Sequence, residues 1–141
     1  MIAIGCDHGG YELKMEIIKY LEANQMKYKD FGCHGEPVDY PEYAKLVGHA
    51  VVDGECDKGI LICGTGIGIS IAANKIKGVR CALCGDCFSA QATREHNDAN
   101  IIALGGRVTG PGLAVKIVDT FLNTEFSGDE RHVRRIALIE P

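Results

Sequence analysis

Five short apolar runs of β character alternate with stretches of helical period along the chain, and this alternation restricts its fold more than any other feature. The runs are Ile2–Cys6, Tyr28–Phe31, Gly59–Cys63, Arg80–Cys84 and Ile101–Leu104. Between them, Leu13, Ile17, Ile18 and Leu21 share one side of a first helix, opposite Glu12, Glu16, Lys19 and Glu22. Pro41 opens a second helix through about Val52, with Ala44, Val47 and Val51 inward. A third helix begins at Ile67 and is apolar on nearly every side, which predicts burial. A fourth runs from about Phe88 to Glu95. Pro111 starts a fifth, whose Leu113, Ala114, Ile117, Val118, Phe121 and Leu122 keep the helical spacing, and a last short helix carries Glu130 to Ile136.

Strands that alternate with helices in this way build a parallel sheet covered on both faces. The expected fold is α/β: a Rossmann-like, doubly wound three-layer αβα sandwich whose five-stranded parallel sheet has the order 2-1-3-4-5. The 141 residues read as one domain, 1–141, long enough to bury a sizeable core. A net charge of −4 argues against non-specific binding to nucleic acid or anionic membranes. No apolar run is long enough to cross a bilayer, and Met1 leads straight into Ile2-Ala3-Ile4-Gly5 without the pattern of an export signal. A cytoplasmic location is expected, and there the seven cysteines are expected as reduced thiols.

In such a sheet, ligands bind where the chain reverses direction between strands 1 and 3, outside the carboxyl ends of the strands. Strand 1 ends in Cys6-Asp7-His8-Gly9-Gly10, and strand 3 in Cys63-Gly64-Thr65-Gly66-Ile67-Gly68. Those turns should lie side by side. Glycines let main-chain N–H groups converge on an anion, and Cys63 stands at the mouth of that turn, where a thiolate could act as base or nucleophile. The plainer alternative is a buried cysteine at a strand end. His96 and Asn97 lie in a polar run after the fourth helix, which also suits a capped, solvated helix end. Arg107 follows strand 5 on the crevice rim. Arg131 and Arg135, four apart, share a helix face and could grip one phosphate; the alternative is a solvated basic face.

Two other stretches resemble binding motifs. Gly64, Gly66 and Gly68 with Asp86 about twenty residues on suggest a dinucleotide fingerprint, but Ile69 stands where its third glycine belongs. Cys81-Ala-Leu-Cys84-Gly-Asp-Cys87 has metal-like spacing, yet an offset of three on a strand points Cys81 and Cys84 to opposite faces.

Several motifs in order resemble the type B ribose-5-phosphate isomerases and the related galactose-6-phosphate isomerase subunits. They are Gly5-Cys-Asp-His-Gly-Gly10, Val38-Asp-Tyr-Pro41, the stretch from Cys63 to Lys75, Arg94-Glu-His-Asn-Asp-Ala-Asn100, Gly106-Arg-Val108 and Arg131-His132. The resemblance implies an aldose–ketose isomerase interconverting D-ribose 5-phosphate and D-ribulose 5-phosphate, in the non-oxidative branch of the pentose phosphate pathway. It implies an enediolate intermediate and no metal or organic cofactor. Cys63 falls at the base, the 64–68 loop with Thr65 at the anion hole, and His96 at the group that opens the furanose ring. Asn97 lies beside it. Asp7 and His8 match substrate contacts, and Arg107, Arg131 and Arg135 match substrate and phosphate binders.

The resemblance leaves isomerisation of a six-carbon sugar phosphate, allose 6-phosphate or galactose 6-phosphate, as an alternative. A non-catalytic flavodoxin-like ligand-binding domain is a second, and a thiol-redox protein exchanging Cys81 with Cys84 a third. With strands 4 and 5 away from the switch point, His96, Asn97 and Arg107 are expected to reach the site from a partner, giving a homodimer with sites at the interface. Two dimers could pair into a tetramer.

Overall fold

Each of the five apolar runs forms a strand in the computed structural model, which describes residues 1–140. The strands are β1 (Ile2–Cys6), β2 (Tyr28–Asp30), β3 (Lys58–Cys63), β4 (Cys81–Leu83) and β5 (Ile101–Gly105). The helices are α1 (Tyr11–Ala23), α2 (Tyr40–Val52), α3 (Ile67–Ala73), α4 (Cys87–Asn97), α5 (Pro111–Asn123) and α6 (Glu130–Ile139). Every strand pairing is parallel. The α/β class, the parallel sheet and the helical layers are as the sequence predicts.

The order at one edge is not. The strands run β2-β1-β3-β5-β4, so the last two exchange places relative to the expected 2-1-3-4-5. Burial explains the exchange. All five residues of β5, Ile-Ile-Ala-Leu-Gly, are buried, as befits a strand with neighbours on both sides. Of the three residues of β4, Cys81 and Ala82 are only partly buried and Leu83 is exposed, which suits an edge.

Side chains alternate between two core layers. Ile60 and Ile62 of β3 join Ile4, Ile102 and Leu104 in the layer under α1, α4 and α5, where Leu13, Ile17, Ala90, Ile117 and Phe121 pack. Leu61 and Cys63 face the other layer, with Ala44 and Val47 of α2 and Ile69 and Ala73 of α3. Cys6 belongs to the first layer and Cys63 to the second, so these two thiols stand on opposite faces of the sheet.

The expected burial of α3 holds for one side only. Ile69, Ser70 and Ala73 face inward, but Ile67 is 51% exposed and Ile71 55%. Residues four apart on a helix share a face, and in a helix of seven residues this pair turns outward as a unit. Among the described residues no helix is long and apolar enough to cross a membrane.

Candidate active site

Three loops leave the carboxyl ends of β1, β3 and β5 and lock together over the sheet. The first is held to β3 by the Asp7 N–H, which donates to the Ile62 carbonyl at 3.2 Å. Its own turn closes through the Gly9 N–H, which donates to Asp7 Oδ1 at 2.9 Å. At Gly10 a Cβ would come within 2.5 Å of the Ile62 carbonyl oxygen, so only glycine lets the chain pass so close. The third loop is tied to the second by the Gly106 N–H, 2.8 Å from the Cys63 carbonyl, and the Arg107 N–H, 2.9 Å from that of Gly64.

The loop after β3 turns through Gly66, whose φ of +80° lies in the left-handed region. That turn aims the Gly66 N–H at Cys63 Sγ, 3.1 Å away. The Ile67 N–H donates to Thr65 Oγ1 at 3.2 Å, which fixes the threonine side chain. The N–H groups of Gly64 and Thr65 find no acceptor among the described residues. The sulfur therefore accepts from one main-chain donor, and the next two residues of the same loop carry free ones. Such fixed N–H groups can hold an oxyanion without reorganising.

Asp7, His8, Cys63, Gly64, Thr65, Gly66, Ile67, Gly68 and Arg107 are brought to this one end of the sheet. Asp7 is buried and engaged with its own turn, whereas His8 is exposed and accepts from the Val38 N–H through Nδ1 at 3.3 Å. The Arg107 side chain lies alongside Gly64: a Cβ there would sit 3.6 Å from its guanidinium. A cleft of about 380 Å³ opens between His8, Gly9, Tyr11, Glu12, Gly106 and Arg107. Cys63, 4% exposed, is not among the residues that line this cleft. Tyr40 also belongs to the rim, since a Cβ on Gly68 would come within 2.6 Å of its ring. The motif Val38-Asp-Tyr-Pro41 includes Tyr40, but nothing in the sequence assigns it to the site, because it lies far from Gly68 in the chain.

Arg107 corrects an expectation. With β5 beside β3, Gly105 pairs with Cys63, and the arginine that follows reaches its own chain's loop and needs no partner to bring it there. His96 and Asn97 are elsewhere. They end α4, whose last turn leads into the start of β5 at Ile101, four residue steps of about 3.3 Å from the level of Cys63. Arg131 and Arg135 lie on α6, beside His96, whose ring stacks on that of His132 with centroids 4.5 Å apart. The chain thus carries two polar clusters at opposite ends of the sheet.

Cys81 and Cys84 are poor candidates for chemistry. Cys84 faces one core layer and Cys81 packs against the other, which separates them as the strand offset requires. Burial pushes the Cys81 thiol up to about 12, and burial followed by the Asp86 charge pushes Cys84 up to about 11. Both keep their protons at neutral pH. Among the described residues no group of three or more His, Cys, Asp or Glu side chains is arranged to hold a metal ion.

The family model described as Ribose/Galactose Isomerase matches residues 2–139. The chain belongs to this family. The ribose-5-phosphate isomerase B of Escherichia coli (strain K12) is 50% identical over 139 residues, covering 98% of this chain and 93% of the relative. A Pectobacterium atrosepticum member named D-erythrulose-4-phosphate isomerase is 46% identical over 129 residues, covering 90% of this chain and 85% of its own. Among solved structures, the Clostridium thermocellum ribose-5-phosphate isomerase B superposes with a TM-score of 0.96 at 55% identity, covering 98% of this chain and 93% of that one. As a family member the chain is a sugar-phosphate isomerase.

Proposed function

We propose that this isomerase interconverts D-ribose 5-phosphate and D-ribulose 5-phosphate through an enediolate. The observation that carries the reading is the setting of Cys63: a sulfur held by the Gly66 N–H beside the free N–H groups of Gly64 and Thr65. The steps follow from that geometry. His96 passes a proton between the anomeric hydroxyl and the ring oxygen, which opens the furanose to the aldehyde. The Cys63 thiolate removes the proton on C2; the electron pair of that C–H bond becomes the C1=C2 bond as the carbonyl π pair moves onto the C1 oxygen. The free main-chain donors hold the developing oxyanion. The proton moves between the two oxygens, and Cys63 returns one to C1, leaving a ketone at C2. Asp7, His8 and Asn97 bind sugar oxygens. Arg107, Arg131 and Arg135 fix the phosphate, so that binding energy from a non-reacting group orients the reacting carbons.

One chain cannot bring His96 to Cys63, so the working unit is a homodimer in which each site takes His96, Asn97, Arg131 and Arg135 from its partner. Exposed apolar side chains support an interface near the Cys63 loop: Ile67 and Ile71 on α3, Leu83 on β4, and Phe88, which is 80% exposed. Exposed apolar side chains in such number are usual where two copies meet.

The four-carbon relative favours a second reading, in which another sugar phosphate is preferred. A panel separates them. Ketose formation is followed from ribose 5-phosphate, erythrose 4-phosphate, allose 6-phosphate and galactose 6-phosphate, with and without a chelator. The expected result is a kcat/KM for ribose 5-phosphate at least about tenfold above the others, unchanged by chelation. A higher kcat/KM for another sugar would move the assignment to it, and no turnover of any would support a binding domain.

A further inference from the structure

The stacked imidazoles at the end of α4 carry an inference that rests on the isomerase reading above. His96 is exposed, whereas His132 is buried at 6% exposure beneath it. Their planes are 18° from parallel. Arg131 donates from Nε to His132 Nε2 at 3.3 Å, so this nitrogen is an acceptor and its proton is on Nδ1. His132 is thus gripped on its edge by one side chain and offers its face to the other.

The charges around it keep that face neutral. Desolvation, then His96 from α4 and Arg131 on its own helix, push the His132 pKa below the ordinary histidine value; Arg135 adds to this and Asp129 opposes it. A neutral ring attracts an imidazolium over its face, while a charged ring would repel it. His132 therefore presents a neutral face to His96 at neutral pH.

An exposed histidine on the last turn of a helix otherwise has several rotamers, and a general acid–base must hold one direction to be effective. We propose that His132 is a positioning residue: its ring is the platform that fixes the plane of His96, and with it the direction in which His96 moves a proton during opening of the furanose ring. His132 itself touches neither the sugar nor Cys63.

Two rates measured in the same variants test this, because only one of them depends on ring opening. Turnover of ribose 5-phosphate requires it. Ribulose 5-phosphate has its C5 oxygen phosphorylated and cannot close a furanose ring, so exchange of its C1 hydrogen in D₂O reports enolisation alone. His132→Ala is expected to lower kcat for ribose 5-phosphate about 10- to 100-fold with KM within twofold, while exchange stays within about twofold. His132→Phe keeps a stacking face and fills the buried space, and is expected to retain most of the ring-dependent rate. Parallel loss of both rates in His132→Ala would show a structural role and overturn the proposal. So would an undiminished kcat in His132→Ala, or a ring-dependent loss in His132→Phe as deep as in His132→Ala. Failure of the isomerase reading looks different: the unmodified protein would neither turn over ribose 5-phosphate nor exchange hydrogen.

Discussion

Cys63→Ala is expected to lower kcat for ribose 5-phosphate by at least about a thousandfold, the scale of losing a positioned acid–base group. The dissociation constant for the sugar phosphate should move less than about threefold, because Cys63 has only 4% exposure and the phosphate contacts assigned to Arg107, Arg131 and Arg135 are intact. Cys6→Ala is the control. Cys6 is also a strand-end cysteine near the crevice, but it faces the opposite core layer, behind the sheet. Burial pushes its thiol up to about 12, so it holds its proton at neutral pH and cannot act as a base. Its removal should cost less than about threefold in kcat, with a modest loss of stability from the missing sulfur. Isothermal titration with ribose 5-phosphate and initial-rate kinetics on both variants measure each part. Equal losses of kcat in the two variants would mean that the base has been assigned to the wrong residue.

A mixture of two dead variants should be alive. His96→Ala removes the ring-opening group, and Cys63→Ala removes the enolising base. If the sites are shared between subunits, a heterodimer of the two has one site with both groups intact and one with neither. Random pairing after co-refolding at equal amounts gives half heterodimers, and so about a quarter of the unmodified activity. Each variant alone should have less than about 1%. The gain is large because nothing in one chain compensates: His96 ends α4, before the start of β5 at Ile101, which is itself four strand residues of about 3.3 Å from the level of Cys63. Activity that stays at the level of the separate variants, with mixed dimers demonstrated by mass, would place both groups in one chain's site after some rearrangement.

The sheet and its helices were legible because burial enforces period. Alternation at Ile60, Leu61, Ile62 and Cys63 and the helical spacing of Leu113 to Leu122 are direct records of which face meets the core. Crossover connections leave a weaker record. Nothing in the loop after β4 says that β5 will slip between β3 and β4, except that Ile101 to Gly105 is apolar throughout while Cys81 to Leu83 is short. That one exchange moved Arg107 from the partner to its own chain's site.

The crevice turns were legible through their glycines, since Gly10, Gly66 and Gly106 stand where a side chain would strike a neighbouring backbone. The contacts of Tyr40 and His132 were not, although both residues stand in motifs of the resemblance. Each joins its cluster across a long stretch of sequence, through one ring contact with Gly68 or His96, and single contacts of that kind have no period to betray them. The outward Ile67 and Ile71 were misread for a related reason. An apolar helix looks the same in sequence whether the core or a second subunit is to cover it.

The account comes down to a proton carried between two carbons by one sulfur. Isomerising ribose 5-phosphate in D₂O, stopping at low conversion and analysing C1 of the ribulose 5-phosphate by NMR tests this directly. Solvent deuterium at C1 in the product of the unmodified protein, and no labelled ketose above background from Cys63→Ala, is the predicted result. Ketose labelled at C1 at the unmodified rate by Cys63→Ala would contradict it.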